Sequence, residues 1–319
     1  MKNNPTEATT KRKSASKSKA AKSLFDKKEV LNDYRIACES REVSLLGRRE
    51  VLTGKAKFGI FGDGKEIPQL AMAKVFREGD WRSGYYRDQT FMFAAGMMKL
   101  EEFFAQLYGD TDLDYNPQTA GRLMNNHFAS RSLDEKGMWK DLTKIKNSSA
   151  DTSPTASQMP RLVGLAHASR IFRNVRELKD FKKFSKNGDE VAFGTIGDAS
   201  AAEGHFWESI NAAGVLQIPM AVSIWDDGYW HIRAEQVPDH EIRPVGSTPG
   251  FKKDAKKPGF YIFKVKAWDY AALVNTYRDA IGKCRKEHVP VIIHAVEQYT
   301  SLRGIPLPVP TNATNQPKG

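Results

Sequence analysis

Cysteine is nearly absent from this 319-residue chain: Cys38 and Cys284 are the only two, far apart and without the spacing of metal ligands. A disulfide scaffold and a cysteine zinc site are thereby excluded, and two thiols in a reducing, cytoplasmic setting are expected. Long hydrophobic runs are also lacking. The longest candidate, Phe91–Met98, falls far short of the roughly 20 residues that span a bilayer, so no membrane association is expected, and no apolar core of a secretory signal is present. No internal repeat occurs. Large apolar side chains are almost missing before Leu24, and residues 1–27 are therefore expected to form a disordered basic tail. That tail accounts for most of the charge. Residues 1–28 carry nine Lys and Arg against two acids, a balance of +7 out of the chain's +11. No aromatic interleaving there suggests base stacking. Nonspecific attraction to acidic partners follows, but no specific nucleic-acid function.

What is present is a chain with 40% hydrophobic residues, enough for a large core. Its most informative stretch is Gly197–Tyr229. An apolar run, Val191–Ile196, leads into Gly197-Asp198; a second, Met220–Trp225, leads into Asp226-Asp227-Gly228-Tyr229; a helix-like segment lies between. Two strands around one helix form a βαβ unit, whose strand ends deliver Asp198 and Asp227 to the same edge of a parallel sheet. Ligands of such sheets bind at that edge. A helix start offers free N–H groups to a diphosphate, and two acids with a backbone carbonyl suit a hard ion such as Mg²⁺. The bland alternatives are an Asp that merely caps a helix and an Asp-Gly turn.

The remaining pattern is α/β. Helical periodicity covers Glu29–Leu52, with Val30, Tyr34, Ile36, Ala37, Val43 and Leu46 toward one side. It recurs near 67–76, 90–96, 100–108, 158–172 and 270–288, and strands are expected at 260–265 and 289–296. Residues 129–151 lack clear periodicity and are expected to form a long loop over the site. Gly59–Lys65 fits the first seven positions of a phosphate-binding P-loop, but Glu66 stands where Ser or Thr must hold Mg²⁺, so a glycine-rich connector is the better assignment.

Several segments, in order, resemble the alpha-type subunit of thiamine-diphosphate-dependent 2-oxo-acid dehydrogenases, their decarboxylase component. Gly197-Asp198-Ala199-Ser200 with Asp226-Asp227-Gly228-Tyr229 is similar to that family's cofactor motif. Tyr85-Tyr86-Arg87-Asp88, Gly121–His127 and Thr152–Pro160 resemble three further family segments, together spanning about residues 28 to 297. The resemblance implies a thiamine-diphosphate-binding fold: a parallel sheet flanked by helices over residues 28–297, between the tail and an irregular, truncated segment at 298–319. It implies that Asp198, Asp227 and the Tyr229 carbonyl bind Mg²⁺. Gly197, the N–H groups of Ala199 and Ser200, Tyr86 and Arg87 would meet the diphosphate, and Ser153 and Thr155 would hold the aminopyrimidine. Glu203 and Asn211 would be supporting residues, and His127 a weak candidate for catalysis.

The implied activity is oxidative decarboxylation of a 2-oxo acid, branched-chain first and pyruvate second, with acyl transfer to the lipoamide of an acyltransferase component. The alternatives are another thiamine-diphosphate enzyme, transketolase-like or acetoin-cleaving, and a non-catalytic fragment that keeps the fold. Two departures from the family stand out. The family's Arg-Asn-Asn-Gly-Tyr is here Trp225-Asp226-Asp227-Gly228-Tyr229, which removes an arginine and adds a carboxylate, so that anchoring leans on Arg87, with His231 or Arg233 as further candidates. The family's histidine-bearing loop after the last strand has no counterpart either. The pyrimidine-activating carboxylate of this family comes from a beta-type half, so a beta subunit, or a missing beta half of a fused chain, is the expected partner. The isolated chain is expected to be inactive.

Overall fold

The computed structural model describes residues 25–227 and 259–297. The tail up to residue 24, Tyr229, His231, the charged excursion 233–258 and the segment 298–319 lie outside the described residues. Among the described residues, no helix is long and apolar enough to cross a membrane.

Among the described residues, six strands form one parallel sheet: β1 (Trp81–Ser83), β2 (Asn147–Ser148), β3 (Ala192–Gly197), β4 (Met220–Trp225), β5 (Tyr261–Lys266) and β6 (Val291–Val296), in the spatial order β2-β1-β3-β4-β6-β5. Helices α1 (Lys27–Leu52), α2 (Glu66–Ala73), α3 (Gln89–Ala94), α4 (Leu100–Tyr108), α5 (Gln158–Asn174), α6 (Gly204–Leu216) and α7 (Tyr270–Glu287) cover it. The expected α/β class and flanked parallel sheet are therefore observed.

The two-residue alternation of a strand splits the core into two layers. Phe193, Ala221, Trp225, Val291, Ile293 and Ala295 join one apolar cluster with residues of α2, α3, α4 and α7. Ala192, Ile196, Met220, Val222, Ile224 and Ile292 join a second with residues of α5 and α6. Central parallel strands buried on both faces read as continuous apolar runs, which is why β3, β4 and β6 are visible in the sequence.

Strands β1 and β2 are not visible there, because their buried residues are polar. Arg82 is fully buried, and its guanidinium bonds Asp88 at 2.7 Å, Asp151 at 3.0 Å and Ser148 at 3.0 Å. Asn147 and Ser148 are buried as well, with the Asn147 amide donating to the Leu142 carbonyl at 2.8 Å.

Helix α1 corrects the expected apolar face. Tyr34 and Leu46 are exposed, whereas Asp33, Ser40, Ser44, Gly47 and Glu50 are buried alongside Val43. Polar pairing holds that face. Ser40 and Ser44 accept from the Gln89 amide, Asp33 pairs with Lys74 at 2.7 Å, and a Cβ at Gly47 would lie 2.3 Å from the Phe61 ring. The end of the expected tail also packs on the body: α1 starts at Lys27, and the Phe25 ring lies 5.7 Å from that of Tyr270.

The stretch 129–151 is a correction too. Its middle part lies not over the carboxylates but at the opposite edge of the sheet. The Ile145 carbonyl accepts from Gly79 at 2.8 Å, ahead of β1, and Lys146 donates to the Ala95 carbonyl at 2.9 Å. Only its end, through Asp151, reaches the loop that follows β1.

Candidate functional site

Strand order makes the site. The chain leaves β1 for β2 on one side and returns to β3 on the other, so the β1/β3 boundary is a topological switch point, where parallel α/β sheets bind ligands beyond their strand ends. Tyr85–Asp88 follow β1, Asp198 follows β3 and Asp227 follows β4. Gly197 is in register with Trp225, and the Asp198 N–H donates to the Trp225 carbonyl at 3.3 Å. Asp198 and Asp227 thus come from adjacent strand ends at one edge.

Asp198 is 5% exposed, and among the described residues its Oδ2 has no hydrogen-bond partner. Burial first, then the neighbouring Asp227 carboxylate, pushes its pKa up to about 6. It does not cap an α-helix. A short 3₁₀ turn, Ala199–Ala202, follows directly, and α6 begins only at Gly204. The N–H groups nearest the carboxylate therefore belong to that turn, where a helix start was expected. The Ala199 N–H hydrogen-bonds the Asp198 carboxylate. Glu203 and Asn211 are exposed.

The loop after β1 packs against this edge. The Tyr85 hydroxyl is buried without a partner, 3.7 Å from where a Gly197 Cβ would stand, and burial holds its pKa well above the usual phenol range. Tyr86 is half-buried, its ring 4.8 Å from that of Tyr85. Arg87 lies over the Tyr86 ring and donates to the Phe61 carbonyl at 2.8 Å; among the described residues no carboxylate pairs with it. Asp88 of this loop is instead held by a buried salt bridge from Arg82 of β1, a residue without a motif in the sequence.

His127 is buried and meets Ser153: Nε2 lies 3.0 Å from the Ser153 hydroxyl and Nδ1 3.0 Å from the Asn125 carbonyl. A carbonyl only accepts, so in the neutral ring Nδ1 carries the proton and Nε2 accepts from Ser153. Ser153 and Thr155 are exposed, and the Thr155 carbonyl accepts from His205 at 2.7 Å.

Two site residues were not legible in advance. Lys65, in the connector dismissed as a P-loop, is 3% exposed and pairs with Asp227 at 2.8 Å. His294 of β6 bonds Asp226 at 2.7 Å. Trp225, where the resembling family has arginine, is fully buried in the core with its indole N–H unpartnered. Among the described residues no group of three or more His, Cys, Asp and Glu side chains is arranged to hold a metal; Asp198 and Asp227 form a pair.

Fold and site together define a class first: a parallel α/β protein with paired carboxylates, a buried lysine and an arginine loop at its switch point. The family model for the dehydrogenase E1 component matches residues 48–299, and the chain belongs to that family. Among curated relatives, it is 29% identical over 197 residues to the 2-oxoisovalerate dehydrogenase subunit alpha of Bacillus subtilis, covering 60% of this chain and 49% of that protein. It is 23% identical over 269 residues to the pyruvate dehydrogenase E1 component subunit alpha of Acholeplasma laidlawii (84% and 64%). To the mitochondrial 2-oxoisovalerate dehydrogenase subunit alpha of Caenorhabditis elegans it is 24% identical over 276 residues (85% and 54%). The chain thus spans between about half and two thirds of the length of these relatives.

Proposed function

We propose that this chain is the alpha-type part of a thiamine-diphosphate-dependent 2-oxo-acid dehydrogenase, and that its strand-end carboxylates hold the cofactor's diphosphate through Mg²⁺. The observation that carries this reading is the Gly197–Trp225 register, which brings Asp198 and Asp227 together while leaving Asp198 Oδ2 buried and unpartnered. A buried carboxylate oxygen without a donor is costly unless a cation meets it. Mg²⁺ takes one or two carboxylates plus phosphate oxygens, so the donor set fits. The Tyr229 carbonyl would be the third protein ligand. Gly197, Arg87, Tyr86 and the N–H groups of the Ala199–Ser200 turn would meet the diphosphate. Ser153 and Thr155 would hold the ring end.

When bound, thiamine diphosphate supplies the carbon nucleophile and the electron sink for decarboxylation. This chain's contribution is to anchor, to orient and to exclude water. His127, held by Asn125 with Nε2 toward Ser153, could accept or return a proton at the Ser153 hydroxyl. Transfer of the acyl group to the lipoamide of an acyltransferase component belongs to the same reading. Relatives named for 2-oxoisovalerate and for pyruvate support a branched-chain 2-oxo acid first and pyruvate second. The pyrimidine-activating acid is assigned to a beta-type partner.

Turnover tests the proposal. The purified chain alone should show no 2-oxo-acid-dependent reduction of an artificial electron acceptor, and adding a beta-type chain with thiamine diphosphate and Mg²⁺ should restore it. Turnover by the chain alone, or none after reconstitution, would contradict it.

A further inference from the structure

The connector between α1 and α2 is stitched to the Arg87 loop rather than draped over it. The Gly62 N–H donates to the Gln89 side chain at 2.9 Å, Arg87 donates to the Phe61 carbonyl at 2.8 Å, and Gln69 donates to the Arg87 carbonyl at 2.8 Å. A Cβ at Gly62 would lie 2.4 Å from that Arg87 carbonyl, so only glycine allows this approach. Gly64, at φ 91°, then turns the chain through the left-handed region that favours glycine. Lys65 follows immediately at the start of α2, with its ammonium buried and 2.8 Å from Asp227, 162 residues further along the chain.

A buried ammonium is expensive to desolvate and persists only where its partners are fixed. Here the partner is a carboxylate that lies beside a second one. Asp198 and Asp227 repel each other, and Lys65, which pairs with Asp227, also acts favourably on Asp198. Asp226 is separately engaged by His294. The edge therefore holds an acid pair, a buried lysine and the nearby Arg87 guanidinium. If a divalent ion neutralises the acid pair, Lys65 and Arg87 remain as positive charge for an anionic group.

We propose that Lys65 is a positioning and anion-recognition residue of this site: it fixes the Asp227 carboxylate beside Asp198 and supplies, with Arg87, the positive charge that selects a diphosphate. The proposal rests on the cofactor reading above. It gives the glycine-rich connector a function: Gly62 and Gly64 deliver one cation to the strand ends.

The test is a binding titration of the full chain, followed by tryptophan fluorescence and calorimetry, in excess Mg²⁺. The probes are thiamine diphosphate and thiamine monophosphate; the proteins are wild type, Lys65→Met and Lys65→Arg. Losing one buried cation should weaken thiamine diphosphate about tenfold or more, and the monophosphate by less than about threefold. Lys65→Arg, which keeps the positive charge, should stay within about threefold of wild type for the diphosphate. Equal weakening for both probes would reduce Lys65 to a structural role and overturn the proposal. So would unchanged binding in Lys65→Met, or a Lys65→Arg variant that binds the diphosphate no better than Lys65→Met. Should Lys65→Met fail to fold, Lys65→Gln takes its place: a loss of about tenfold for the diphosphate supports the proposal and unchanged affinity overturns it. Failure of wild type to bind either probe would refute the cofactor reading itself, and Lys65's role with it.

Discussion

Replacing Arg82 with methionine should unfold the site's foundation before it alters any cofactor contact. The guanidinium and its two carboxylate partners are essentially inaccessible to solvent. Two donor bonds run to Asp88, at 3.0 and 2.7 Å, and two to Asp151, both at 3.0 Å. Methionine fills comparable space but leaves two buried carboxylates without their cation. Asp88 keeps the Thr195 hydroxyl and Asp151 keeps the Phe128 N–H. Breaking a buried ion pair from one side costs about 3–5 kcal/mol, or roughly 10 °C in melting temperature for a domain of this size. The functional consequence follows from sequence adjacency: Asp88 follows Arg87, and Asp151 lies two residues before Ser153. Differential scanning calorimetry would measure the loss, and hydrogen exchange would locate it in the 85–89 and 149–155 loops. Arg82→Met/Asp151→Asn should recover part of the stability by removing one orphaned charge. A single-variant loss below about 1 kcal/mol would mean that the network is not the strut described here.

Three further outcomes are expected. Asp198→Asn should abolish Mg²⁺-dependent binding of thiamine diphosphate in calorimetry without lowering the melting temperature, because the lost oxygen had no partner in the protein. Gly62→Ala should cost about 1–3 kcal/mol by urea unfolding and weaken the same binding, since its Cβ would meet the Arg87 backbone. His288, donating to the Gly188 carbonyl at 2.7 Å, has its pKa lowered to about 4, chiefly by burial and then by Arg173. The unfolded chain therefore binds the extra proton first. Stability from this group is intact at pH 7, starts to fall near the unfolded pKa of about 6.5 and is fully lost below about pH 4, for a total on the order of 1–2 kcal/mol after allowing for solvent. His288→Asn, which tolerates the left-handed φ of 54°, should show a shallower acid dependence of melting temperature than wild type.

The central βαβ unit was legible because β3 and β4 are apolar on both faces and end in acids, which leaves little ambiguity about strand, edge or chemistry. The edge of the sheet beyond it was not. Strand β1 contains Arg82 and β2 is Asn147-Ser148, residues that sit in a core only because distant groups satisfy them. The buried face of α1 misled for the same reason: Ser40 and Ser44 are inside because Gln89 meets them, while Tyr34 is outside. Lys65 could not be connected to Asp227 from local pattern, since their pairing exists only after α2 packs near the strand ends. The one available signal is the Gly62-Asp63-Gly64-Lys65 sequence, which by itself reads only as a connector.

Calorimetric titration of thiamine diphosphate into the 319-residue chain, with Mg²⁺ and then with chelator, is the most direct test of the carboxylate pair as a cofactor anchor. Saturable binding should occur in wild type with Mg²⁺, vanish when the ion is removed, and vanish in Asp198→Asn. Binding that survives the chelator or the substitution, or no binding by the wild-type chain, would contradict that assignment.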